Sequence, residues 1–350
     1  MTKLLLLGDT HWGVNNDNPV FHKYFSKFYE FMFEYIDTNN IKTLIQLGDL
    51  FDKRKNINFH SLYEANKQFF DQCESRQPEL KVFVISGNHD CTYKNTNEVN
   101  SVSLLSKPFM TVIDKVPQTI NVAGADIDFY PWINESNLDD SLQLANTTKS
   151  KFAVGHFEFS KFPLHKGHIA EHGMDHTLLS QYQRVYSGHY HTQSQKDNVQ
   201  YTGTPYELDW ADYNDSKGFW VLDTVTGEHE FIQNPFTIYN VLVYNSTHQT
   251  IDANEVKDKF IKVLVKDKTD QKHFDTFIDT INSYIPLSLK IVDTSISDSI
   301  ETAMKSDIEF MSTNVMLRNV VESLDTTLDK DRLNKTILEI YYDASELAKL

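Results

Sequence analysis

Five stretches of this 350-residue sequence put Asp, Asn or His at a glycine that closes an apolar run. Leu4–Leu7 leads into Gly8-Asp9-Thr10-His11, and Leu44–Leu47 into Gly48-Asp49-Leu50-Phe51-Asp52. Val82–Ile85 leads to Gly87-Asn88-His89-Asp90, Phe152–Val154 to Gly155-His156, and Val185–Ser187 to Gly188-His189-Tyr190-His191. The candidate ligands are Asp9, His11, Asp49, Asn88, His156, His189 and His191. Imidazoles with hard oxygen donors and no thiolate suit Mn²⁺, Fe or Zn²⁺. Seven ligands exceed the needs of one ion and fit two ions that share a carboxylate. Asp49, in the middle motif, is the natural bridge. Two such ions ~3.5–4 Å apart clamp a phosphoryl group and acidify a bound water. Asp9 and His11 lie two residues apart, as do His189 and His191. Alternate residues of an extended segment share a face, so each pair can turn inward together.

Taken singly, Gly-Asp after a strand is an ordinary turn. The five in order require strand ends that converge on one polar site. Open α/β sheets bind ligands outside the carboxyl ends of their strands, and the apolar runs read as buried strands of a mostly parallel sheet. Residues 1–90 read β-α-β-α-β. The first crossover carries Phe21, Tyr24, Phe25, Phe28, Met32, Tyr35 and Ile36 at helical spacing; the second runs from His60 to about Glu74 with Leu62, Ala65, Phe69 and Phe70 on one side. These aromatic stripes are expected to be core. Short strands from Thr111 to Trp132 predict a second sheet packed on the first, and Leu138–Ala145 a helix. The segment Phe157–Gln183 holds His165, His168, His172 and His176 at a spacing that matches no zinc pattern. It is read as a substrate-facing loop. Strands are expected near Phe219–Leu222 and Glu230–Ile232, and a domain boundary at Asn234-Pro235. Beyond it, residues 236–295 read as a small α+β domain, and 296–350 as helices with an Ile300, Met304, Ile308, Met311, Val315 stripe.

The formal net charge of −16 argues against a stand-alone nucleic-acid binder with a broad basic face. It leaves room for an enzyme whose bound metals offset local carboxylates. The two cysteines, Cys73 and Cys91, exclude a disulfide framework or a four-Cys zinc site. No apolar run approaches the ~20 residues of a membrane span, and the start lacks the apolar region of a signal peptide. A soluble, cytoplasmic protein is expected.

The set Gly-Asp-x-His, Gly-Asp-x-x-Asp, Gly-Asn-His-Asp, Gly-His and Gly-His-x-His resembles the calcineurin-like metallophosphoesterases from Gly8 to His191. The resemblance implies an α/β fold: a two-sheet sandwich flanked by helices over residues 1–235, followed by a small α+β capping domain and a helical C-terminal tail. It implies one ion on Asp9, His11, Asp49 and His191 and another on Asp49, Asn88, His156 and His189. Mn²⁺ is the first choice and Mg²⁺ the alternative. His89 is then the acid that faces the phosphate and assists the leaving oxygen, a role open to imidazole near neutral pH. Asp52 and Asp90 stand behind the ligands as supports.

Details narrow the resemblance. Trp12 separates His11 from Gly13, and Asp90 ends the Gly-Asn-His motif where protein Ser/Thr phosphatases usually carry Glu. Gly203-Thr204-Pro205 and the domain layout are similar to the SbcD-type DNA repair nucleases, most of all the short bacteriophage members. That implies 3′→5′ exonuclease action on duplex DNA ends and endonuclease action on single strands. It also implies an SbcC-type coiled-coil ATPase as partner and a homodimer within a 2:2 complex, in the host cytoplasm if phage-encoded. The helix from His60 and the segment Asn95–Leu105 are the expected dimer elements, and the Ile300/Met304/Ile308/Met311/Val315 stripe the expected ATPase contact. One departure matters: some members of that family have His where Asp52 stands. The alternatives are a phosphomonoesterase or protein phosphatase on the same scaffold, and a metal-stabilised scaffold without chemistry.

Overall fold

Leu4, Leu5, Leu6 and Leu7 are all fully buried, because the strand they form is covered on both faces. Side chains alternate along a strand. Leu5 and Leu7 therefore join Leu44, Val82 and Val84 in a core shared with helix residues Phe21, Phe25, Phe28 and Met32. Leu4 and Leu6 join Ile45, Leu47, Phe83 and Ile85 in a core shared with Ile127, Phe129, Phe152, Val154 and Tyr186 of a second sheet. Each side chain so buried contributes roughly 1.5–3 kcal/mol. The continuous apolar runs in the sequence are the record of this double coverage.

The computed structural model describes residues 2–165, 168–246 and 250–293, with 329, 330, 332, 333, 336 and 337. The first sheet has six strands in the order β14-β13-β1-β2-β3-β4. They are β1 (Lys3–Leu7), β2 (Thr43–Gln46), β3 (Lys81–Ile85), β4 (Met110–Ile113), β13 (Gly218–Asp223) and β14 (His229–Gln233). Strands β1 to β4 are parallel, and β13 runs antiparallel to β1. The second sheet, also six-stranded, has the order β11-β12-β10-β7-β6-β5. It comprises β5 (Gln118–Val122), β6 (Ala125–Tyr130), β7 (Phe152–Gly155), β10 (Arg184–Ser187), β11 (Ser194–Lys196) and β12 (Val199–Tyr201). A two-stranded ribbon, β8 (Pro163–His165) with β9 (His168–Ile169), lies in the segment after β7.

The first crossover helix, Pro19–Thr38, has Pro at its start and the Asn18 side chain accepting the Val20 N–H, two features that favour a helix N-terminus. The second crossover is helical from Phe59 to Glu74, with a wider π-type turn at Asn66–Phe70. The outer face of the second sheet buries Tyr130, Ala153, Val185 and Tyr201 against Ala145 of helix Leu138–Thr147 and Phe157, Phe159 and Phe162 of the following loop. The strands expected from Thr111 onward divide between layers: β4 extends the first sheet, and β5 and β6 begin the second.

The remaining strands, β15 (Tyr239–Asn245), β16 (Phe260–Asp267) and β17 (Ser288–Asp293), make a three-stranded sheet, with helix Gln271–Ser283 between β16 and β17. Contacts divide the described residues into two units. The larger holds residues 2–242, 250–262 and 271–290 and contains both six-stranded sheets; the smaller holds 243–246, 263–270 and 291–293, with 329, 330, 332, 333, 336 and 337. In the smaller one Ser246 Oγ donates to the Asp267 carbonyl and accepts the Thr269 N–H. Asn234 is buried and donates to the Pro205 carbonyl. Ile300, Met304, Ile308, Met311 and Val315 lie outside the described residues. Among the described residues no helix is long and apolar enough to cross a membrane.

Candidate active site

The segments that follow β1, β2, β3, β7 and β10 bring all seven candidate ligands to one place. Donor atoms of Asp9, His11 and His191 lie within 4.8 Å of one another, and so do those of Asp49, His156 and His189. Asn88 Oδ1 is 2.9 Å from both His156 Nε2 and His189 Nδ1. Asp49 stands between the groups: its Oδ2 is 3.9 Å from His11 Nε2 and 3.4 Å from His156 Nε2.

The backbone is bent to achieve this. His11, Asp49 and His189 have φ of 44°, 52° and 87°, a region most side chains avoid and one found at functional sites. The glycines leave room for the carboxylates. A Cβ on Gly87 would lie 2.2 Å from Asp49 Oδ1, and one on Gly188 would lie 2.4 Å from Asp9 Oδ1. Main-chain donors then fix the acids. The Asp9 carboxylate accepts the His189 N–H at 3.0 Å, and Asp49 Oδ1 accepts the His89 N–H at 2.7 Å.

Burial drives the electrostatics. It pushes Asp9 well above the usual carboxylate range. Burial opposes ionisation of Asp49 too, yet His156 beside it, by charge and hydrogen bond, holds its carboxyl far below that range. His156 is raised to about 9 against its own burial, by Asp49 and Asp9. Burial, with neighbouring imidazoles, takes His11 well below its ordinary value and His189 down to about 3. Burial lowers His191 to about 4. These three are neutral imidazoles with lone pairs available to a cation.

The donors fit a metal. His156 Nδ1 lies 2.8 Å from the Leu47 carbonyl, which can only accept, so Nδ1 carries the proton. The other nitrogen faces the Asn88 amide oxygen and the Asp49 carboxylate; raised to about 9, His156 carries a proton there as well, and a bound cation could take that proton's place among the same donor atoms. His11 Nε2 and His191 Nε2 likewise face each other at 3.1 Å. Imidazole, carboxylate and amide oxygen without thiolate are donors for Mn²⁺, Fe or Zn²⁺.

His89 is tied differently. Its Nδ1 lies 2.5 Å from the Asp52 carbonyl, which places a proton on Nδ1, and among the described residues no hydrogen bond takes Nε2. Its ring meets His11 edge-on at 4.9 Å. The Asp52 carboxylate sits 3.7 Å from His11 Nδ1. The contact to His89 thus comes from the main chain at position 52, whatever the side chain there. Asp90 is buried and gathers the Leu50, Phe51 and Gly87 N–H groups and the Ser101 hydroxyl. Burial and the Asp49 charge push it up to about 6 against those donors.

Two further residues reach the site without a motif to announce them. Buried Lys217 donates to the His191 carbonyl at 2.8 Å and to Asp212 at 2.6 Å. Trp132, just past β6, places its ring 5.5 Å from His189 and 6.1 Å from His156. With Ile133, Glu158 and Met174 it lines a cleft of about 220 Å³ beside them. The strand-end logic that found His156 would have reached Trp132, since β6 and β7 are parallel neighbours. In the segment 157–183, His176 hydrogen-bonds Asp197 at 2.8 Å; among the described residues no group of metal donors gathers there.

Residues 2–193 match the calcineurin-like phosphoesterase family. The chain belongs to that family. Exonuclease subunit 1 of Enterobacteria phage T4 is 33% identical over 348 residues, 98% of this chain and 100% of that protein. Among solved structures, the inner-membrane-complex anchor GAP50 of Plasmodium overlaps 67% of this chain and 89% of its own, at 13% identity and a TM-score of 0.37. As a calcineurin-like phosphoesterase the chain is a hydrolase, and its family uses divalent metals.

Proposed function

We propose that the protein is a two-metal DNA nuclease subunit that works with an SbcC-type coiled-coil ATPase. The observation that carries the reading is the pair of donor groups joined through Asp49, with His89 Nε2 open beside them. The phage exonuclease subunit, similar over nearly the whole chain, favours DNA over other phosphoesters. Asp9, His11, Asp49 and His191 would hold one ion and Asp49, Asn88, His156 and His189 the other, Mn²⁺ before Mg²⁺. When bound, such ions neutralise a phosphodiester and make water nucleophilic. The chain's own residues do the rest. Asp49 would stand between the two cations, Asp9 and Asp90 fix the loops, and His89, as the imidazolium, passes its Nε2 proton to the departing sugar oxygen. The Asp52 carbonyl holds the Nδ1–H and so aims Nε2, and the transfer leaves His89 as the neutral Nδ1–H tautomer.

The proposed layout is a nuclease domain at 1–235, a capping domain at 236–295 and an ATPase-binding tail at 296–350 that carries Ile300, Met304, Ile308, Met311 and Val315. A homodimer is supported by apolar side chains left on the surface of the two expected elements: Phe59 at 91% exposure and Tyr63 on the helix, Leu104 at 76% and Val99 at 43% on the other segment. Exposed apolar residues gathered in this way mark interaction surfaces.

The test is cleavage of blunt, recessed and single-stranded DNA with Mn²⁺, with and without the ATPase, beside a phosphomonoester control. Degradation of DNA from 3′ ends supports the reading. Turnover of the monoester with DNA left intact would replace it by a phosphatase.

A further inference from the structure

A second set of metal-type donors lies outside the site just described, on segments that none of the five motifs covers. Asp17 ends the loop that follows His11, His22 sits in the first turns of helix Pro19–Thr38, and His60 opens the helix Phe59–Ala65. One donor atom from each lies within 4.8 Å of the others. His22 Nε2 is 2.6 Å from Asp17 Oδ1, and His60 Nδ1 is 3.7 Å from Asp17 Oδ2. The two imidazoles meet edge-on at 4.7 Å. Asp17 and His22 are 10% and 4% exposed, whereas His60, at 45%, leaves one side open to water.

Several observations distinguish this set from a chance surface cluster. His22 faces Asp17 through Nε2, and among the described residues its buried Nδ1 has no hydrogen-bond partner. Its plane is fixed by stacking on Trp12, centroids 5.8 Å apart and 12° from parallel. Ser61 Oγ donates to Asp17 Oδ1 at 2.5 Å, which orients the carboxylate and leaves Oδ2 toward His60. Supports behind a ligand that set its direction are a regular part of metal sites. Two imidazoles, one carboxylate and an open position make a donor set that Zn²⁺ accepts, with water as the fourth ligand.

We propose that Asp17, His22 and His60 form a third cation site, for a divalent transition ion of the Zn²⁺ type. The site clips the loop after His11 to both crossover helices of the first sheet. That loop needs a clip. Asn15, Asn16 and Asp17 are three successive left-handed residues, at φ of 55°, 58° and 64°; Asn and Asp tolerate this conformation singly, but a run of three is disfavoured. An ion on Asp17 offsets that cost and steadies the segment that carries His11.

The test counts ions on the full-length protein. Wild type, His60→Ala, Asp17→Asn and the control His172→Ala are loaded with Zn²⁺, or with Co²⁺ in parallel, and dialysed against metal-free buffer. Bound metal is then measured by mass spectrometry. Both site variants are expected to retain one ion fewer per chain than wild type, and the control the same number. The wild-type-minus-variant Co²⁺ spectrum should show the intense visible bands of a four-coordinate site. Asp17→Asn alone could disturb the loop, so the surface variant His60→Ala decides the matter. Equal stoichiometry in wild type and His60→Ala overturns the proposal. So does the loss of every ion in His60→Ala, which would make the cluster a prop of the main site and not a site of its own.

Discussion

His89 holds its Nδ1 proton on the Asp52 carbonyl, so its loss should remove an acid and no metal donor. His89→Ala is expected to keep both ions in the main site and to lose ~10²–10⁴-fold in cleavage, the usual weight of a general acid. Metal content and Mn²⁺-dependent nuclease rate, measured on one sample, check this; a variant that loses an ion would make His89 a ligand. Asp49→Asn should do wider damage than Asp9→Asn. Asn tolerates the left-handed conformation that Asp49 adopts at φ 52°, so the exchange removes charge and spares the backbone. Calorimetric Mn²⁺ titration should show both binding events weakened in Asp49→Asn and one mainly affected in Asp9→Asn. Near wild-type affinity in Asp49→Asn would move the bridge elsewhere. The candidate ligands were legible in the sequence because each follows a glycine at the end of an apolar run, a purely local pattern. Lys217 and the Asp52 carbonyl were not. The first reaches His191 from 26 residues away, and the second is a main-chain atom that no side-chain pattern encodes.

The element after β12 makes a separate commitment. Glu207 is 2% exposed and accepts the Ile238 and Tyr239 N–H groups through Oε2. Burial lifts it from 4.5 to about 7 despite those donors. A raised acid favours the fold when protonated. Its contribution is complete below about 4.5 and disappears as the pH rises through about 7, a swing on the order of 3 kcal/mol. Glu207→Gln keeps an oxygen for both N–H groups and cannot ionise. Urea midpoints from pH 4.5 to 8 should therefore shift in the variant's favour as pH rises; parallel curves would show that Glu207 is solvated. Periodicity located most elements because burial on one or two faces imposes it. It placed the helix Pro19–Thr38 within a turn of its ends. It could not say which sheet β4 joins, since Met110–Ile113 is compatible with either until the partner strand β3 is known. Asp17, His22 and His60 share no local spacing at all, and only the docking of two helices brings them together.

At the scale of the whole chain, a net charge of −16 means that, on the proposed function, most DNA attraction falls to bound metal and to a partner. The proposed tail provides the link. A truncation ending near Asp293 is expected to stay folded, to keep Mn²⁺-dependent nuclease activity and to stop co-purifying with the ATPase. Aggregation of the truncated chain would assign the tail helices to the core, and undiminished ATPase binding would move the docking surface to residues 237–293. The main site has its own large-scale property: donors for each proposed ion come from both sheets, and His11 meets His191 across 180 residues. Neither sheet alone offers a complete set. An ion held this way would find its full donor set only once the two sheets have met, and it is expected to join late, as a bolt through a finished joint. Contacts absent from the folding barrier act on the rate of unfolding. Stopped-flow traces with and without Mn²⁺ should share one refolding rate and differ in unfolding; faster refolding with Mn²⁺ would mean the site forms early. Metal supply would then govern how long the nuclease lasts and leave untouched how quickly it is made.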